Sequence, residues 1–219
     1  MFDTILFDLD GTLTDSAEGI INSVKYAFAK MGIQQPDNNT LQKFIGPPLS
    51  ASFKEYCNFD STQIEQAIAY YREYFSVKGI FENRVYNGIP SVLESLKHKN
   101  KTLIVATSKP EVYAKRILLH FDIARYFDII AGSTLTEERN TKAKVLEYAF
   151  TQGNITDKNK AVLIGDRKHD VIGAHDIGIK CIGVLYGYGT SDELTEYGAD
   201  YILETVKDIE KFFKDRKGV

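Results

Sequence analysis

The spacing of apolar residues along this 219-residue chain changes twice, and the two changes divide it. Ile5, Leu6, Phe7 and Leu9 belong to a first run of strand length, which ends on Asp8 and Asp10 and turns at Gly11-Thr12. From residue 15 the period becomes helical. Asp15 and Glu18 read as a capping box, and Ile20, Ile21, Val24, Ala27, Phe28 and Met31 fall on one stripe that stops at Gly32. A polar turn over Gln34 to Asn39 leads to a short apolar piece at Leu41, Phe44 and Ile45, broken at Gly46-Pro47-Pro48. Leu49, Phe53 and Tyr56 predict another helix. Asp60 with Gln63 caps a longer one, whose Ile64, Ala67, Ile68, Tyr71 and Phe75 keep helical spacing up to Lys78-Gly79.

Beyond residue 85 strand and helix patterns alternate. Asn87-Gly88-Ile89-Pro90 opens a helix, a strand follows at Thr102 to Ala106, and Pro110 starts the next helix. Strands at 127–131, 161–164 and 181–185 are separated by helices at 142–150 and 171–177, and a strand-helix pair over 201–213 closes the series. Such alternation predicts an α/β fold with a doubly wound, Rossmann-like parallel sheet. The first strand must pair with strands that come only after residue 100. The helical block is therefore an insert: residues 1–14 and 86–219 form the sheet domain and residues 15–85 an all-helical second domain, with hinges near Thr14 to Ser16 and Val85 to Gly88.

Composition narrows the function classes. An apolar fraction of 43% supports a sizeable core, and a net charge of −3 supplies no broad basic field, so a nucleic acid polymer is not an expected partner. Cys57 and Cys181 lack metal-ligand spacing and read as reduced, packed thiols, which points to a cytoplasmic setting. No apolar window has the length of a membrane span, and Met1-Phe2-Asp3 is no basic leader. The four histidines form no zinc set, and the basic run Lys214 to Lys217 reads as a solvated helix end.

In open parallel sheets ligands bind beyond the carboxyl ends of the strands, and Asp8, Thr107 and Asp166 each stand at such an end. Asp8 and Asp10, crowded at the close of a buried strand, call for a cation or a proton between them, and so point to a divalent metal. Asp8-Leu9-Asp10-Gly11-Thr12 resembles the first motif of the haloacid dehalogenase-like phosphatases, and later motifs match in order at Thr107, Lys142 and Gly165-Asp166 through Asp170. The likeness is to phosphoglycolate phosphatase-like members with a small helical cap, so the sheet domain is the expected catalytic core and residues 15–85 the expected cap. It implies that Asp8 is the nucleophile of an aspartyl-phosphate and Asp10 the general acid and base. It further implies that Gly11, Thr107 and Ser108 line the phosphoryl site and that Lys142 neutralises it, with Lys144 the alternative. Mg²⁺ would be held by Asp8, the carbonyl of Asp10, Asp166 and Asp170.

The resemblance thus implies a Mg²⁺-dependent phosphatase of a small phosphorylated metabolite, 2-phosphoglycolate or a nucleoside 5′-monophosphate. A phosphomutase of the β-phosphoglucomutase type keeps the same residues and stays open, as does, more remotely, a non-enzymatic binding module. The loop Phe44 to Leu49 resembles the substrate-facing loop of such caps, while a rigid helix-helix turn remains the other reading. Tyr70, Tyr71 and Tyr74 read as helix core, His169 as an outer neighbour of the site, and both monomer and homodimer remain compatible with the sequence.

Overall fold

The computed structural model describes residues 2–136 and 138–214. They form two compact units, one of Met1–Thr14 with Val85–Val219 and one of Asp15–Arg84. The chain passes between them on two short strands, β2 (Thr14–Asp15) and β3 (Arg84–Val85).

The larger unit is built on six strands: β1 (Thr4–Phe7), β4 (Thr102–Pro110), β5 (Ile129–Ser133), β6 (Ala161–Gly165), β7 (Lys180–Val184) and β8 (Tyr201–Leu203). Their order is β5-β4-β1-β6-β7-β8, all parallel, so β1 lies at the centre between two strands that come much later in the chain. Ile5 to Phe7 of β1, Leu103 to Ala106 of β4 and Val162 to Ile164 of β6, buried on both faces, are continuously apolar rather than alternating. Leu6, Ile104, Ala106, Leu163 and Cys181 point to one face and pack with Val145, Leu146 and Ala149 of α7 (Lys142–Gln152), Val171 and Ala174 of α8 (Lys168–Asp176) and Leu194 of α9 (Ser191–Glu196). The alternate positions Ile5, Phe7, Leu103, Val105 and Val162 are fully buried as well. Helix α5 (Ile89–His98) packs on β4 and on α10 (Val206–Lys214), and α6 (Glu111–His120) on β4 and β5. The doubly wound sheet of the sequence pattern is thus present. The short α9 escaped notice because Ser191–Glu196 carries a single buried apolar residue, Leu194.

The smaller unit is helical, with α1 (Ala17–Met31), α2 (Asn38–Gln42), α3 (Leu49–Cys57) and α4 (Ser61–Tyr74), the last running on into a π-turn at Phe75–Gly79. The capping box of α4 forms as the sequence indicates, Asp60 accepting from Gln63 N while Gln63 accepts from Asp60 N. At α1 the expected box does not form: Ser16 is the N-cap residue, without a side-chain cap bond. Asp15 lies one residue too early: its Oδ2 is paired with Arg84 at 2.6 Å, while its Oδ1 accepts from Ala17 N at 3.4 Å. Phe44 and Ile45 are buried, Phe44 packing edge-on against Phe53, so the front of the loop from Phe44 to Leu49 belongs to the helical core. Tyr71 is core as well, whereas Tyr70 and Tyr74 are half-buried. Of the basic run at the C-terminus, Lys214 ends α10, and Asp215 to Lys217 lie outside the described residues.

Leu6 is fully buried at the centre of the sheet. Leu6→Ala should therefore lower stability by about 2–5 kcal/mol, read as a shift in the denaturant midpoint with unchanged slope.

Candidate active site

The carboxyl ends of β1, β4 and β6 meet at one mouth. In the register of the sheet Phe7 stands level with Val105 and Ile164, which sets Asp8 at the rim with Thr107 and Asp166 one step further out on its two neighbours. Asp8 stays attached to the sheet through its own N–H, which donates to Ile164 O at 2.9 Å. The chain then folds back on itself. Leu13 N and Thr14 N both donate to Leu9 O, Gly11 N donates to Thr14 O at 2.8 Å, and Leu9 and Leu13 are buried as anchors. Gly11 takes φ of +81°, and a Cβ there would stand 2.1 Å from Asp166 Oδ2. Glycine is required on both counts.

Asp8, Asp166 and Asp170 each bring one carboxylate oxygen within 4.8 Å of the others, and all three are buried. The Lys142 ammonium lies 2.9 Å from Asp8 Oδ1 and 2.8 Å from Asp170 Oδ1, and donates to Ala106 O at 3.0 Å. Lys144, two residues on, is exposed, and its ammonium donates to Glu138 O at 3.4 Å. Asp166 accepts from Thr12 Oγ1 on one oxygen and from Tyr188 N, at 2.8 Å, on the other. Asp170 accepts from Arg167 N at 3.1 Å. Thr107 is buried, and its Oγ1 accepts from Lys109 N at 3.2 Å, while Ser108 is half-buried beside it. Asp10 lies 3.0 Å from the Lys109 ammonium through Oδ2.

Burial raises the Asp166 carboxyl well above its ordinary range, reinforced by the charges of Asp170 and Asp8. Asp170 is pushed up to about 6, burial and the neighbouring Asp8 prevailing over the pull of Lys142. Burial alone would lower Lys142, but Asp170 and Asp8 outweigh it and raise the ammonium further. One ammonium therefore faces three buried carboxylates. Hard oxygen donors in such number, two positive charges short of balance when all three are ionised, suit a small divalent cation such as Mg²⁺.

A family model described as haloacid dehalogenase-like hydrolase matches residues 5–184. The chain belongs to this family. A 5′-nucleotidase of Pseudomonas aeruginosa is 46% identical over 204 residues, covering 91% of this chain and 92% of that protein. The tyrosine-protein kinase PtkA of Mycobacterium tuberculosis is 39% identical over 188 residues, 86% of this chain but 64% of the relative. Among solved structures, that of a predicted phosphatase from Clostridium acetobutylicum superposes with a TM-score of 0.94 at 51% identity, covering 98% of this chain and 99% of that one.

Several residues of this haloacid dehalogenase-like hydrolase that bear on the site were not singled out by the sequence. Lys109, Thr12 and the stretch Tyr186 to Gly189 all touch its carboxylates or their loop. Tyr186 OH donates to Thr12 O at 2.9 Å, and Cβ atoms at Gly187 and Gly189 would overlap Asp166. Density of glycine and tyrosine in Leu185-Tyr-Gly-Tyr-Gly189 was the available signal. Arg167 and Lys168, which could have faced either substrate or surface, are tied to Glu193: Arg167 Nε at 2.9 Å and Lys168 N at 2.8 Å. His169 is half-buried, with its pKa lowered by burial, Arg167 and Lys168.

A carboxyl whose pKa is raised on folding binds its proton more tightly in the folded state, so it costs stability once pH rises through the folded value. EDTA-treated Asp166→Asn should thus melt above the EDTA-treated parent at about pH 7.5 and lose that advantage near pH 4, where the folded parent already carries the proton. An equal difference in Tm at both pH values would contradict this electrostatic reading.

Proposed function

We propose that this phosphoric monoester hydrolase acts on nucleoside 5′-monophosphates, with Asp8 as nucleophile and Asp10 as general acid and base. The observation that carries the reading is the buried Asp8 carboxylate, held at 2.9 Å by Lys142, with a second carboxyl group two residues on whose Oδ1 has no hydrogen-bond partner among the described residues. Lys142 fixes the Asp8 carboxylate and sets a positive charge beside the incoming phosphoryl group. Asp8 attacks phosphorus in line, and the P–O ester bond breaks as the Asp8–phosphorus bond forms. Asp10 delivers a proton to the departing oxygen and then takes one from the water that splits the aspartyl-phosphate. Thr107, with Ser108 and Gly11 beside it, lines the phosphoryl site.

Asp8, Asp166 and Asp170, with the backbone carbonyl of Asp10, would hold Mg²⁺, which when bound neutralises charge on the transferring group. The helical unit is the part we assign to substrate selection. Choice of a nucleoside monophosphate over 2-phosphoglycolate is supported by the 46% identity to a 5′-nucleotidase along nearly the whole of that protein. Similarity to PtkA favours a second reading, in which a protein tyrosine rather than water receives the phosphoryl group.

Phosphate release measured with Mg²⁺ should be greatest for nucleoside 5′-monophosphates, weaker for 2-phosphoglycolate, and abolished by EDTA. Phosphotyrosine on an added protein, with no phosphate released, would decide for the second reading. Asp8→Asn should reduce phosphate release to background while leaving the far-UV circular dichroism unchanged; retained turnover would refute the mechanism.

A further inference from the structure

Strand β4 is irregular where it leaves the sheet. Its pairing with β5 runs to Thr107↔Gly132 and resumes at Pro110↔Ser133, so Ser108 and Lys109 are extra residues in a bulge. Bulges re-aim side chains, and this one depends on Gly132, where a Cβ would stand 2.6 Å from Lys109 O and 2.7 Å from Glu111 N. The bulge is secured from outside. Arg139 donates through Nε to Gly132 O at 3.1 Å and pairs with Glu111 at 3.1 Å.

The bulge directs the Lys109 side chain into the mouth, where its ammonium lies 3.0 Å from Asp10 Oδ2, with both side chains about nine-tenths buried (6% and 11% exposed). Asp10 Oδ1 is equally shielded but has no hydrogen-bond partner among the described residues. The two oxygens of one carboxyl group are therefore unlike, one held and the other open. A carboxyl group rotates readily about its Cβ–Cγ bond, since that torsion is broad and two-fold, so some outside contact must decide which oxygen faces the substrate.

We propose that Lys109 is a positioning residue for Asp10: by fixing Oδ2 it presents Oδ1 to the leaving oxygen of the ester. This rests on the phosphatase reading above. As the Asp8–phosphorus bond forms and the phosphorus–ester bond breaks, the proton on Asp10 Oδ1 passes to the ester oxygen, and the Asp10 carboxylate left behind is balanced by the Lys109 ammonium. Lys109 itself need not touch the substrate.

The test uses two esters, adenosine 5′-monophosphate, whose alkoxide must be protonated to leave, and 4-nitrophenyl phosphate, whose phenolate leaves unaided. Because kcat/KM covers only the steps up to ester cleavage, the later attack of water does not enter. Lys109→Met should lower kcat/KM for adenosine 5′-monophosphate by about 10²-fold and for 4-nitrophenyl phosphate by less than about threefold, in line with a misplaced general acid. Lys109→Arg should recover most of the loss. If the Met variant does not fold, judged by circular dichroism, the Arg variant carries the same comparison through any residual loss confined to the nucleotide. Equal losses for both esters would overturn the positioning role while leaving the phosphatase reading intact, since the parent protein hydrolyses both. No release from either ester by the parent, with Mg²⁺ present, would overturn that reading and this proposal together.

Discussion

One ammonium group, that of Lys142, holds the site together. It bridges Asp8 at the end of β1 and Asp170 on α8 while donating to the carbonyl of Ala106 in β4, joining three elements far apart in the chain. A buried charge is tolerated only where partners replace its water, and here each partner has the same need. Two carboxylates without Lys142 would be left buried beside a third. The packing makes room for its stem: a Cβ at Gly173 of α8 would stand 2.5 Å from Lys142 Cβ. Close approach of α7 and α8 is therefore a condition for the charge pattern at the mouth, and core packing and site electrostatics are one constraint.

The neighbouring carboxylates show the same economy of space. Asp166 is enclosed by Gly11, Gly187 and Gly189, none of which can carry a side chain without overlapping it. Glycines are used here to let backbone approach a buried acid, and the acid is kept from rotating by Thr12 and Tyr188 N. Carboxylates pinned in this way are pre-arranged to receive positive charge rather than rearranging to do so.

Much of this was legible in the residues. The strands announce themselves because both faces of the sheet are covered, so Ile5 to Phe7, Leu103 to Ala106 and Val162 to Ile164 are unbroken apolar runs that stop abruptly on polar residues. Those stopping points are Asp8, Thr107 and Asp166, which is why they could be picked out in advance. Lys142 was reached through the family resemblance, and its place at a helix start set it ahead of Lys144. Lys109 could not be found this way: its role depends on a two-residue bulge in β4, and a bulge leaves no trace in apolar periodicity. The Tyr186 to Gly189 stretch was likewise opaque, since its bonds to Thr12 and Asp166 span more than twenty residues in one case and most of the chain in the other. At α1, local pattern misled by one residue: Ser16 is the N-cap, and the Asp15 carboxylate is shared between Ala17 N and Arg84.

The central place of β1 bears on how the chain assembles. Its two ladder partners are β4 and β6, so β1 waits during synthesis for Thr102–Pro110 and then for Ala161–Gly165 before it is enclosed. Residues Asp15–Arg84, whose contacts lie within a single continuous stretch, are complete long before that. Non-local pairing delays folding, whereas contacts close in sequence form early. Synthesis thus leaves an apolar N-terminal strand unpaired beside a helical unit whose contacts are already available, the interval in which an exposed strand edge is most open to wrong partners.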